Sequence, residues 1–153
     1  MRPRAIKGQR FLEILEGKPK SPVEILFVRD DQDCFQLSMQ IRDWLKAANW
    51  EAKEPRAIEI SDLTPRLAQY TSTMGVGGQP QGVTIVMRAT SQADFERERD
   101  KNPLNPLESA NTPRKALAAA LGDSLGEISG GISYETGVPG VLWVVVGPKP
   151  NLN

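Results

Sequence analysis

Val23-Glu24-Ile25-Leu26-Phe27-Val28-Arg29-Asp30-Asp31-Gln32-Asp33-Cys34 is the stretch on which the fold turns. From Val23 to Val28 only Glu24 is polar, a density that suits a strand buried on both faces of a parallel sheet. A short charged turn follows, and then the period changes. Cys34, Leu37, Ile41, Trp44, Leu45 and Ala48 recur at steps of three and four and form one apolar stripe. Gln36, Gln40, Arg42, Asp43 and Lys46 occupy the opposite face, so residues 34–48 read as an amphipathic helix. Asp33, or Asp31 if the helix begins earlier, is expected to cap it, because a carboxylate there meets the unsatisfied N–H groups of the first turn.

Upstream, residues 8–16 read as a short helix with Phe11, Leu12 and Leu15 on one side and Gly17 just past its end. Downstream, Asn49 suits a C-terminal cap, and Trp50–Lys53 begins a second strand that resumes at Ala57–Ile60. Pro55 between them cannot donate to a ladder, so this strand is expected at an edge or broken. Residues 62–82 form a long connection. Leu63, Leu67 and Tyr70 hint at a helical turn, and Gly75, Gly77, Gly78, Pro80 and Gly82 then mark a loop. Val83–Met87 is a third strand, followed by a second long polar connection over 89–111. Thr112-Pro113 starts a helix with a capping hydroxyl and a proline at its first position. Ala116, Leu117, Ala120, Leu121 and Leu125 form its buried stripe, and Gly130-Gly131 is expected to end the helical region. Val141–Val146 is the last and most apolar strand, with Trp143 and Val144 expected to be buried on opposite faces. Gly147-Pro148-Lys149-Pro150 stops it.

Apolar runs alternating with amphipathic helices predict an α/β fold. The expectation is one domain over residues 1–153, with a mainly parallel sheet of four or so strands flanked by helices, Rossmann/flavodoxin-like in kind.

Composition narrows the chemistry. The chain has 153 residues, 39% hydrophobic and 25% charged, as a globular domain requires. Nineteen Lys and Arg balance nineteen Asp and Glu, so no net field draws it to nucleic acid. Histidine is absent, which removes the usual general base near neutral pH and the triads that depend on it. Cys34 is the single cysteine, so no disulfide or cysteine-rich zinc site can form within the chain. No apolar run is long enough to span a bilayer, and Lys7, Gln9, Arg10 and Glu13 break the stretch behind Met1-Arg2-Pro3-Arg4 that would resemble a signal peptide. A cytoplasmic location is the expectation.

Candidate binding residues come from the ends of strands, where open α/β sheets collect ligands. Arg29, Asp30 and Asp31 follow the first strand, Arg88 follows the third, and Lys149 follows the last. In a wholly parallel sheet all five share one edge, where two cations facing two carboxylates would orient a zwitterionic or phosphorylated ligand. No catalytic residue, metal site or cofactor is assigned. Gly75-Val76-Gly77-Gly78 precedes a strand instead of opening a helix, the wrong context for a phosphate-binding loop. Cys34 and the three tryptophans, Trp44, Trp50 and Trp143, read as packing residues.

Val23–Asp31 and Lys149-Pro150 resemble parts of a response-regulator receiver domain. The third strand, however, runs into Met87-Arg88-Ala89-Thr90, without the phospho-accepting aspartate. Asp31-Gln32-Asp33 resembles the paired aspartates of haloacid-dehalogenase-type phosphatases, whose other motifs are not found here. A broader likeness joins Phe11–Pro19, Val23–Val28, Ala47-Ala48-Asn49-Trp50-Glu51-Ala52 and Gly140–Pro150. Together they are similar to uncharacterised bacterial α/β domains that often follow one or two membrane helices and end in Val-Gly-Pro-Lys-Pro or a close relative. That resemblance implies the fold and an accessory or sensing role, and no catalytic residue. The reading reached from sequence is a non-catalytic binding or regulatory module for a protein partner or small ligand. The alternatives are a magnesium-dependent phosphoryl-handling enzyme using Asp30, Asp31 and Lys149, or an oligomer-forming subunit that pairs with itself through its N-terminal helix.

Overall fold

The computed structural model describes residues 4–59, 73–74, 80–93, 112–126, 128–133 and 138–148. Along the chain run α1 (Gly8–Leu15), β1 (Val23–Phe27), α2 (Gln32–Ala47), β2 (Arg56–Ala57), β3 (Thr73–Met74), β4 (Pro80–Gln81), β5 (Val83–Arg88), α3 (Pro113–Leu125), β6 (Ser129–Ser133) and β7 (Leu142–Val146). Five strands form one sheet in the order β2-β1-β7-β5-β6, and β3 pairs with β4 separately. Three pairings are parallel: β1 with β2, β1 with β7, and β5 with β6. β5 and β7 are antiparallel. The fold is therefore α/β with a mixed, mostly parallel sheet.

Two sequence expectations are corrected here. Gly130-Gly131 does not end a helical region; it lies inside β6. That extra strand, parallel to β5, means the chain must return past β5 to reach β7, and the sheet reverses direction at that point. The connection over 62–82 also holds the short antiparallel pair of β3 and β4. The hinted turn at Leu63–Tyr70 and most of 89–111 lie outside the described residues. The broken edge strand around Pro55 is as expected: a single parallel bridge joins Val23 to Ala52, and pairing resumes at Arg56-Ala57.

The units β1-α2-β2 and β5-α3-β6 each join neighbouring parallel strands through a helix. They run in opposite senses and step outward to opposite sides. Right-handed crossovers therefore put α2 and α3 on the same face of the sheet. Packing agrees, since α1 touches both, α2 rests on β1 and β7, and α3 rests on β5. Gly8 allows α1 to approach α2 closely, because a Cβ there would lie 2.0 Å from the Trp44 ring.

Side chains cap the N-termini of α2 and α3. The Cys34 N–H donates to Asp31 Oδ1 at 3.0 Å, so the cap of α2 is Asp31 and the helix begins two residues before Cys34. The Lys115 N–H donates to Thr112 Oγ1 at 3.3 Å, with Pro113 in the first turn. At the far end of α2, Asn49 adopts φ 65°. Its N–H donates to Lys46 O, and the Trp50 N–H donates to Leu45 O. This is a Schellman closure, with the buried Trp50 set against the buried Leu45. The core gathers Phe11, Leu15, Leu37, Ile41 and Leu45 from α1 and α2, Leu117 and Leu121 from α3, and the central strands. Trp143 and Val144, consecutive on the central β7, are both buried as expected. Among the described residues no helix is long and apolar enough to cross a membrane.

Candidate functional site

β1 ends with the Val28 N–H donating to Val146 O at 3.1 Å, which locks the strand end against β7. The chain then has only residues 28–31 in which to turn into α2. Asp30 takes a left-handed φ of 64°, a conformation that aspartate tolerates better than most side chains. The turn sets Arg29 and Asp30 outward, both exposed.

The other two acids are engaged. Asp31 caps α2, and Asp33 binds the N-terminal segment. Arg4 Nε and Nη2 each lie 2.8 Å from Asp33 Oδ2, and the Arg4 backbone N–H donates to Oδ1 at 3.1 Å. Arg4 is largely buried in this pairing, with a side chain 10% exposed. Among the described residues no group of three or more metal-ligating side chains comes together. Cys34, directly behind the cap, is fully buried, and its thiol is pushed up to about 12. Burial is the main cause and Asp31 adds to it, outweighing Arg4, which acts to lower it. Its place is in the packed core.

The five residues expected at one edge are not brought together. Arg29, Asp30 and Asp31 share the carboxyl end of β1 with the end of β7. Arg88 closes β5, which runs the other way, and so stands at the opposite end of the sheet. Lys149 lies outside the described residues. The common edge rested on a wholly parallel sheet, and the β5–β7 reversal removes that premise.

Phe35 joins Arg29 and Asp30 and was not singled out from sequence. It sits at the start of α2, 45% exposed, and its ring meets that of Phe27 edge to face at 5.4 Å. The available signal was its position: Phe35 falls between the stripe residues Cys34 and Leu37, on the flank of the helix that should be polar. Arg29, Asp30 and Phe35 thus form an exposed cation, anion and aromatic on a turn held by β1 behind and the α2 cap ahead. A cleft of about 290 Å³ lies at the other end of α2, between its last residues and those of α1, where Leu12, Glu13, Glu16, Lys20, Ala47 and Asn49 are among its walls.

Compared with protein-family models, with curated proteins and with solved structures, the chain finds no match.

Proposed function

We propose that this domain is a non-catalytic binding module whose contact surface for a protein partner is the β1–α2 turn, formed by Arg29, Asp30 and Phe35. The observation that carries this reading is the exposed Phe35, braced on Phe27 beside an exposed Arg29 and Asp30. Arginine and aromatic residues are enriched at protein contacts, and a ring already held in place loses little freedom on binding. The turn is exposed and charged, which favours a protein surface over an enclosed small molecule. Phosphoryl chemistry gains less support, since Asp31 and Asp33 already cap a helix and hold Arg4. The likeness of the sequence to domains that often follow membrane helices is in keeping with an accessory or sensing role.

The test uses tagged wild-type protein and the Phe35→Ala variant on lysate from the source cells, with Val138→Ala as a control at another exposed apolar side chain. The reading expects a specific set of proteins held by the wild type and by Val138→Ala and lost with Phe35→Ala, at unchanged melting temperature. An identical set on all three would refute it.

A further inference from the structure

Among the charged residues of the β1–α2 region, two are not engaged inside the chain. Six lie between Val28 and Trp44. The Cys34 N–H donates to Asp31, Asp33 pairs with Arg4, and Arg42 pairs with Asp43 and Glu54. Arg29 and Asp30 are exposed, and neither enters an ion pair among the described residues. A cation and an anion thus face solvent as consecutive residues.

An exposed aromatic lies beside them. Phe35 is 45% exposed, with its ring set edge to face against that of Phe27. Met39, one helical turn further on and half-buried, extends its apolar side. Gln32 and Gln36, both exposed, give the patch a polar rim. An apolar centre inside a polar rim is the anatomy of a protein contact. The sign pattern selects the partner. A surface that carries one cation beside one anion is its own complement: a twofold rotation sets Arg29 against the second copy's Asp30, and Asp30 against its Arg29. The same rotation brings the two Phe35 rings together. The chain as a whole does not resist the approach, since its nineteen positive and nineteen negative residues leave no net repulsion between copies.

We propose that the protein partner of the β1–α2 turn is a second copy of this chain, bound as a twofold dimer with Phe35 at its centre and reciprocal Arg29–Asp30 pairs at its flanks. This rests on the reading of the turn as a contact surface and names what it contacts. Three residues with a glutamine rim cover less area than a permanent dimer buries, so the pairing is weak and depends on concentration.

The experiment measures the mass of the whole chain in solution from micromolar to millimolar concentration. The average is expected to climb from 16.8 kDa toward twice that value. Phe35→Ala should weaken pairing about tenfold or more, as loss of a central aromatic anchor does. Arg29→Asp and Asp30→Lys should each be monomeric where the wild type pairs, because each places like charges in contact. Mixed in equal amounts, these two variants should pair again, since each supplies the charge that the other lacks. Asp30 sits at φ 64°, so Asp30→Asn, which suits that backbone, is measured alongside and should also weaken pairing. A chain that stays monomeric throughout, a dimer indifferent to Phe35→Ala and Arg29→Asp, or a mixture of folded variants that fails to pair would overturn the proposal. A monomer whose captured lysate proteins are still lost with Phe35→Ala overturns self-pairing alone and leaves the turn as a contact surface for another protein.

Discussion

The halves β1-α2-β2 and β5-α3-β6 are built on the same plan and finished differently. Each steps outward from a central strand, places a helix (α2 or α3) on the same face of the sheet, and ends on an edge strand parallel to its start. The first half turns from strand to helix through residues 28–31, under an aspartate cap. The second takes residues 89–112 and a threonine cap with proline behind it. The short turn has little freedom to lose, because β7 anchors it at Val28 and the cap anchors it at Asp31. It is therefore the half that presents Arg29, Asp30 and Phe35 in fixed relation, and loops on such rigid supports commonly carry binding residues.

The largest expected effect is on what the halves share. β7 pairs with both β1 and β5, and Val144 is completely buried at its middle. Val144→Asp places an unpaired charge in the core and should abolish folding, seen as loss of soluble protein and of a cooperative melt. A cooperatively folded variant would mean that β7 does not join the halves.

Next comes the element that bridges the two helices. Gly8→Ala forces the half-buried Trp44 ring aside and should cost about 1–3 kcal/mol by denaturant titration. Full stability would show that α1 is not pressed against α2.

The two caps can be compared directly. Asp31→Ala and Thr112→Ala should each cost about 0.5–2 kcal/mol. Asp31 should be the more expensive loss, because its charge also favours the positive helix end. The reverse order would contradict the view that the first turn is the more firmly anchored.

The smallest effect concerns Arg10 and Asp123, the exposed pair that ties α1 to α3. The Arg10 guanidinium donates to both carboxylate oxygens, at 2.8 and 2.9 Å, and holds the pKa of Asp123 below its usual value. The folded form then holds fewer protons than the unfolded one. The contribution is present at neutral pH and is lost as pH falls through the lowered value. Wild type should melt slightly above Asp123→Asn at neutral pH, with the gap closing as the pH falls through the lowered value. A gap that persists in acid would rule this pair out as its source.

Much of this was legible in the sequence. The apolar density of Val23–Val28 and Val141–Val146 marked β1 and β7, and the stripe from Cys34 to Ala48 marked α2, because burial on two faces and on one leave different periods. Strand direction leaves no period at all. The antiparallel β5–β7 pairing was therefore invisible, and the assumption of a parallel sheet carried Arg88 to the wrong end. β6 was hidden for a local reason: Gly130-Gly131 has the composition of a helix stop, and only pairing with β5 makes it a strand. Phe35 was passed over because stripe counting registers the residues that recur and ignores an aromatic beside them.

Arg29 and Arg88 separate these issues most directly. Both were expected at one edge, and the structure sets them at opposite ends of the sheet. Arg29→Gln and Arg88→Gln are to be compared for capture of the same partner proteins, with melting temperatures measured alongside. The account predicts that Arg29→Gln weakens capture at unchanged stability, while Arg88→Gln leaves capture intact. Loss of capture with Arg88→Gln at unchanged stability, and none with Arg29→Gln, would contradict the assignment of the contact surface to the β1–α2 turn.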